Sequence, residues 1–457
     1  MYIAISNSIT SSSQMNAAAA SGGGGSFDNT YSMAFDGVDD YVNISNPIPL
    51  GLTSISFWMK STDIAGAKGI TNGLGQLNFI GTSPIVRLNS TNYRYFADQV
   101  ANFDGNWHHW FLLIAGSGQY DIASSRLFVD GVEVLGNTAI SNGLPLAWGV
   151  SQIGKGFYGV INASIDEFAI WQSDETANIS TIYNSGVPTD LASLNPLAWY
   201  RMGDNGSYKS PQWLEPQNSN KDKLSNFSFE FDGVGDNISL SSNIDLGTLN
   251  TVSFWIKRND TAIAQPLGNT TAWSDFLVRL QTTQISFGST SFVFNDATTL
   301  SLVNQTTNWT HLMFVRNGAN CNLFVNGVDR DGAKTNSNAA AVNRFRTIGS
   351  PGDGSTWNFN GSIDEIALWT SDESSNISAI YNGGEPTTLP SGAVAHYKMG
   401  EEATFSTNWT VPDAIGSADG TSANMTIEDR VGEAPNSTGN SLSYNMVEAD
   451  RETDVPS

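Results

Sequence analysis

The side chains able to do chemistry in this chain are carboxylates, a few histidines and many aromatic rings. The acids fall into two arrangements. Asp36, Asp39 and Asp40 crowd one turn beside Gly37, and Asp232 and Asp236 occupy a matching turn in which Gly235 replaces the middle acid. Asp166-Glu167 and Asp364-Glu365 are instead direct neighbours. Successive residues of a strand face opposite sides, so neither adjacent pair is expected to act as the acid and nucleophile of glycoside hydrolysis, which need a shared face and a separation of roughly 5–9 Å. Only His108, His109, His311 and His396 are available as bases, and none lies in a nucleophile-elbow context. His109 and His311 follow Trp107 and Trp309 by two positions, the spacing of side chains that share a strand face, and they read as framework. A single cysteine, Cys321, excludes an internal disulfide framework and, with four scattered histidines, a zinc site. It reads as an inert strand residue.

Aromatic rings offer a different chemistry, because sugars are held by ring faces together with short polar side chains. The chain has 13 tryptophans set among Asn-rich segments. Trp58, Trp171, Trp255 and Trp369 recur at matching positions and are expected in the core. Trp148, Trp213, Trp273 and Trp357 have no evident counterpart. Of these, Trp273 in TTAWSD and Trp357 in GSTWNF stand in loop-like sequence and are the candidates for glycan binding.

The matching positions come from a duplication. FDGVDDYVNI at 35–44 returns as FDGVGDNISL at 231–240, SISFWMK at 54–60 as TVSFWIK at 251–257, and LFVDGVE at 127–133 as LFVNGVD at 323–329. SIDEFAIWQSDE at 164–175 returns as SIDEIALWTSDE at 362–373, and LAWYRMGD at 197–204 as VAHYKMGE at 394–401. The period is too long for a solenoid or propeller, so each copy should bury its own core. The reading is a flexible arm over 1–26 with four consecutive glycines, a first domain over 27–203, a linker over 204–226 and a second domain over 227–400. Residues 401–457 read as an extension that opens a third copy, since NSLSYNM alternates as FSFEF does, and that serves in assembly.

Within each copy the apolar period is two. Phe57 and Met59 share one face of a strand, Trp58 and Lys60 the other, and Leu127 with Val129 opposes Phe128. Turns at Asp130-Gly131, Asn142-Gly143 and Asn326-Gly327 predict hairpins. Many short strands predict an all-β fold of two tandem antiparallel sandwiches. A helical turn is expected after each SDE sequence, with Ser173 and Ser371 as caps. The net charge of −23 disfavours nucleic acid as a partner, and no apolar run is long enough for membrane insertion. The N-terminus lacks the basic region of a signal peptide. Charged residues make up only 14%, so the surface is rich in amides and hydroxyls.

The order FDG-x-x-D, SFW strand, W-x-H, LFV-D/N-G, SIDE-x-A-x-W, I-Y-N-x-G resembles the laminin-G-like, concanavalin A-like lectin and glucanase superfamily, and the resemblance implies two jelly rolls. The joints, WYRMGDN with NSNKDKLSN and YKMGEE with the tail, resemble structural proteins of marine tailed bacteriophages. That resemblance implies a non-enzymatic virion structural protein on the particle exterior, a capsid decoration or fibre component. Its partners would be other virion proteins or copies of itself, through the arm and the extension, and host cell-surface glycans. The alternative is a dedicated lectin or adhesin, with a glycoside hydrolase a distant third. The superfamily's glucanases carry E-x-D-x-E or E-x-D-x-x-E on one strand, and neither pattern occurs here. Laminin-G-like domains that bind Ca2+ near one rim imply a calcium site formed by Asp36, Asp39, Asp40 and Asp166 in the first copy, and by Asp232, Asp236 and Asp364 in the second.

Overall fold

The structure is a computed structural model that describes residues 27–50, 53–73, 76–89, 92–114, 122–140, 148–269, 276–289, 292–330, 334–335, 342–351 and 356–457. The arm over 1–26, the Asn142-Gly143 turn and Trp273 lie outside the described residues. Period-two alternation produces the expected strands. In Thr53–Lys60, Phe57 and Met59 enter the core between two sheets, while Trp58 turns outward against His109 and Tyr183. Each repeat has an eight-stranded antiparallel sheet built around its SIDE strand. Asn162–Trp171 lies between Ser32–Asp36 and Thr53–Lys60, and Asn360–Trp369 lies between Ser228–Asp232 and Leu249–Arg258. A second layer covers each. In the first repeat, one sheet contains Gln76–Ile80, Ser83–Asn89 and Asn92–Phe96, and another contains Tyr41–Leu50 and Trp148–Ile153. In the second repeat the corresponding strands join one ten-stranded sheet.

The outer face of each eight-stranded sheet is covered in turn. Trp171 and Trp369 pack there beneath the short helices Ile179–Tyr183 and Ile377–Tyr381. These helices are the turns expected after SDE, but the predicted caps do not hold them. Asp174 accepts the Thr176 amide at 2.9 Å, while the Ser173 hydroxyl turns to Glu175. Among the described residues no helix is long and apolar enough to cross a membrane.

The chain's course departs from two domains joined by a linker. In the second repeat Thr404–Phe405, Trp409–Val411 and Gly420–Ala423 follow the YKMGEE joint and extend the sheet beside Asn237–Gly247. Arg430–Val431 then pairs with Ser228–Asp232. In the first repeat Ser207–Lys209 and Gln212–Glu215 take the first two of these places, so residues 204–226 are not a free linker. The other two places are filled from the far end of the chain: Ser441–Tyr444 pairs with Tyr41–Leu50, and Arg451–Glu452 with Ser32–Asp36. The tail therefore completes the second repeat and then, from Ser441 on, the first, and does not open a third. The second repeat is nested inside the first.

Detailed contacts match on both sides of this equivalence. Trp409 Nε1 donates to Thr426 O at 2.7 Å, as Trp213 Nε1 does to Val447 O at 2.8 Å. The Trp409 and Trp213 amides donate to Ser422 Oγ and Ser443 Oγ at 2.8 and 2.7 Å. Trp213 is thus a framework residue with a counterpart in Trp409, and each lies in its repeat's core, with Met446 and Met425 respectively. Deleting residues 441–457 should strip Ser32–Asp36 and Tyr41–Leu50 of edge partners and uncover Trp213. Limited proteolysis should then cut the first repeat while the second stays protected. Met446→Ala should reproduce the effect mildly, at about 2–4 kcal/mol, in urea unfolding followed by hydrogen exchange of the first repeat.

Candidate functional site

The acidic turns are built by their own backbones. Asp36 Oδ1 accepts the Val38 and Asp39 amides at 2.7 and 3.3 Å, and Asp40 Oδ2 accepts the Asp36 amide at 3.0 Å. Asp232 and Asp236 repeat this, accepting from Val234 at 2.6 Å and from Asp232 at 3.0 Å. In the first repeat, ligating oxygens of Asp36, Asp39 and Asp40 come within 4.8 Å of one another. Asp166 does not join them. Asp36 pairs with Asn162, so Asp166 lies four residues along the strand, about 13 Å away at the usual rise; Asp364 is displaced from Asp232 in the same way. The closing segments bring acids that the sequence reading passed over. Burial, with Asp36, Asp450 and Asp39 nearby, raises the Asp40 carboxyl to about 6, and burial with Asp429 and Asp232 raises Asp236 to about 6. The signal was present in S-x-N-M-x-x-x-D-R, which occurs at 422–430 and again at 443–451.

The adjacent acids also differ from expectation. Glu167 and Glu365 both adopt φ of 49°, and the strand registers shift there, so alternation is broken at a bulge. Burial and the neighbouring Glu167 push Asp166 well above the usual carboxylate range. In the first repeat both acids are buried and engaged. Asn29 donates to Asp166 at 2.7 Å, and Trp199 and Arg201 both donate to Glu167. His109 and His311 are buried framework, each 2.8 Å from a serine hydroxyl, Ser56 or Ser253. Desolvation holds both imidazoles at about 3, hence neutral. Cys321 is buried in its strand, and burial pushes its thiol up.

The sheet of Gln76–Phe96, smaller than the SIDE sheet of the first repeat, presents a surface of another kind. In the first repeat Leu77, Phe79 and Val86 face the core, which turns Gln76, Arg87, Tyr93 and Tyr95 to the opposite face. The Arg87 guanidinium lies 4.2 Å from the centre of the Phe157 ring and donates to the Tyr158 hydroxyl at 2.8 Å. Tyr93 and Tyr95 pack edge to face at 5.5 Å, and Phe157 is 61% exposed. Beside them runs a row of amides: Asn72 donates to Gln152 at 2.8 Å and Gln76 to Asn72 at 3.2 Å. The second repeat keeps the arginine. Arg279 lies 3.8 Å from the centre of Phe276 and 4.1 Å from that of Trp357. Trp357 therefore meets a guanidinium, and it does so with a φ of 61°, uncommon for a bulky side chain. The sequence clue was IVRL at 85–88 against LVRL at 277–280.

The family profile described as the Concanavalin A-like lectin/glucanases superfamily matches residues 36–178 and 231–375. The chain belongs to this superfamily. The matched spans end before the closing strands, which is why superfamily landmarks alone do not reveal the nesting. No curated protein matches the chain. Among solved structures, mouse laminin α1 domains LG4–5 are similar at 11% identity over 78% of this chain and 92% of that one, with a TM-score of 0.27. The native heptameric SAP-like pentraxin of Limulus polyphemus is similar at 12% identity over 44% and 96%, with a TM-score of 0.30.

The raised acids give the superfamily framework a pH signature here. A carboxyl held at about 6 when folded and at 3.8 when unfolded keeps a proton in the native state that the unfolded chain releases, so stability falls as pH rises from about 4 to about 6. Buried Glu167, Glu215 and Glu401, each raised to about 8 first by desolvation, extend the decline upward. Urea unfolding of an Asp40→Asn/Asp236→Asn variant should lose the component between pH 4 and 6, on the order of 1–2 kcal/mol per site, and keep the part above it.

Proposed function

We propose that the chain is a non-enzymatic carbohydrate-binding protein whose first repeat holds saccharide on the outward face of its smaller sheet. The observation that carries this reading is the cluster of Arg87, Tyr93, Tyr95, Phe157 and Tyr158 beside the amide row of Asn72, Gln76 and Gln152. Ring faces stack on the apolar side of a pyranose, amides bond its hydroxyls, and a guanidinium selects a carboxylate or sulfate group. In a chain with 44 acids against 21 basic residues, an arginine kept at this place in both repeats supports an acidic glycan. Glycan-array screening followed by calorimetry tests it. Arg87→Ala and Tyr95→Ala should each weaken the best ligand by about tenfold or more, with Cys321→Ser unchanged; equal affinity in all three would refute the reading.

Calcium is a separate proposal, confined to the first repeat. Asp36, Asp39 and Asp40 would hold the ion, since their oxygens converge and backbone amides occupy Asp36 Oδ1 and Asp40 Oδ2. Gly235 removes one of these acids from the second repeat. Adding calcium to chelator-treated protein should raise the thermal midpoint of the first repeat, and Asp39→Asn should abolish the shift.

Placement on a virion, as a decoration or fibre component, is the narrower reading and rests on the resemblance of the joints. The tail no longer supports assembly, because residues 401–457 are built into the two repeats. Attachment would fall to residues 1–26, and the test is whether the chain sediments with purified particles and is lost when those residues are deleted.

A further inference from the structure

The two repeats treat one framework carboxylate in opposite ways. In the first repeat Glu167 accepts from Trp199 Nε1 and from Arg201 Nε. Arg201 also donates to Asp28 O and to Asp204, and its guanidinium covers the Phe27 ring at 4.2 Å. Phe27 stacks on Trp199 at 5.9 Å. An aromatic ring and a planar cation thus fill the space over the acid.

In the second repeat the strand pairing puts His396 where Trp199 stands and Lys398 where Arg201 stands. His396 Nε2 meets Glu365 Oε2 at 2.6 Å, while Lys398 donates to Glu402 at 2.7 Å. The segment before Ser228–Asp232 places Leu224, 55% exposed, where Asp28 lies in the first repeat. What results is a cavity of about 330 Å³ with Glu365, His396 and Lys398 in its wall, bounded by Leu224, Leu389 and Ile415 and by Thr387 and Thr388.

We propose that this cavity binds a small organic cation with an apolar body, an aryl or alkyl amine or amidine. Its cationic end pairs with Glu365 and its body packs on Leu224, Leu389 and Ile415. The ligand supplies from outside the two parts that Arg201 and Phe27 supply within the first repeat. Lys398 in the same wall is paired with Glu402 at 2.7 Å, which leaves Glu365, bonded through Oε2 to His396, as the acid that meets the ligand.

Benzamidinium, a ring carrying a planar cation, is the probe, titrated into the full chain by calorimetry and ligand-observed NMR beside benzyl alcohol and benzoate. Benzamidinium should bind and the other two should not. Glu365→Gln should weaken binding by about tenfold or more. His396→Trp/Lys398→Arg, which installs the side chains of the first repeat, should abolish it. Ile415→Lys, at the exposed mouth, serves if the buried variants fail to fold. Arg87→Ala should leave it unchanged, which separates this cavity from the saccharide face. Absence of binding at millimolar probe, equal binding of benzyl alcohol, or affinity unmoved by Ile415→Lys would overturn the proposal.

Discussion

The structure depends on the return of residues 441–454 to the first repeat. Without them two strands of that repeat keep unpaired edges, and a sandwich tolerates bare edges poorly. A closure spanning some four hundred residues carries a modest entropy penalty if the intervening chain is already folded, because the cost then depends on the gap between its ends. The second repeat makes that gap small. Asn440 Nδ2 donates to Asn226 O at 2.8 Å, Ser437 Oγ to Asn226 Oδ1 at 2.6 Å, and Asn220 Nδ2 to Asn440 Oδ1 at 2.8 Å. These amides clamp the entry of the inserted repeat to its exit. The exit then delivers Ser441–Tyr444 directly onto its partners.

The seam between the repeats follows from the same arrangement. Arg430, the last-turn arginine of the second repeat, is fully buried and donates to Gly400 O, Ala403 O, Lys209 O and Gln212 Oε1. Two of those acceptors belong to the Ser207–Glu215 hairpin of the first repeat. Desolvation lowers this guanidinium to about 9, a sign of how little water reaches the joint. Leu214, Phe227, Leu442 and Tyr444 form a small shared core beside it, with Tyr41 stacked on Tyr444 at 5.1 Å. The Arg430 bonds give the seam directionality that apolar contact alone would not give.

This explains what the sequence could and could not disclose. Alternation at Phe57, Met59 and Leu127 gave the sandwich, because burial between two sheets imposes a period of two. It said nothing about which strand is a neighbour. NSLSYNM alternates as FSFEF does, and only the side chains around it, Asn445, Met446, Asp450 and Arg451, mark it as the counterpart of 422–430. Adjacency of Asp166 and Glu167 was misleading because a bulge, with φ of 49° at the second residue, overrides strand alternation. The aromatic face around Arg87 was hidden for another reason: Arg87, Tyr93 and Phe157 come from three separated segments, and a surface assembled across strands leaves no local pattern.

The two repeats differ, residue by residue, in which of two matching positions they leave open. In the first repeat the arginine on the smaller sheet stands beside an exposed Phe157 and three tyrosines, while the carboxylate at the bulge is sealed by Trp199, Arg201 and Phe27. In the second repeat the arginine is flanked closely by Phe276 and the half-buried Trp357, while the carboxylate lines an open cavity. Each repeat closes the position that the other leaves accessible. Substitutions at a few places did this without disturbing the framework: Trp199 against His396, Arg201 against Lys398, and Gly159 against Trp357. Nesting then ties the two positions together, since the strands that complete the first repeat begin where the second repeat ends.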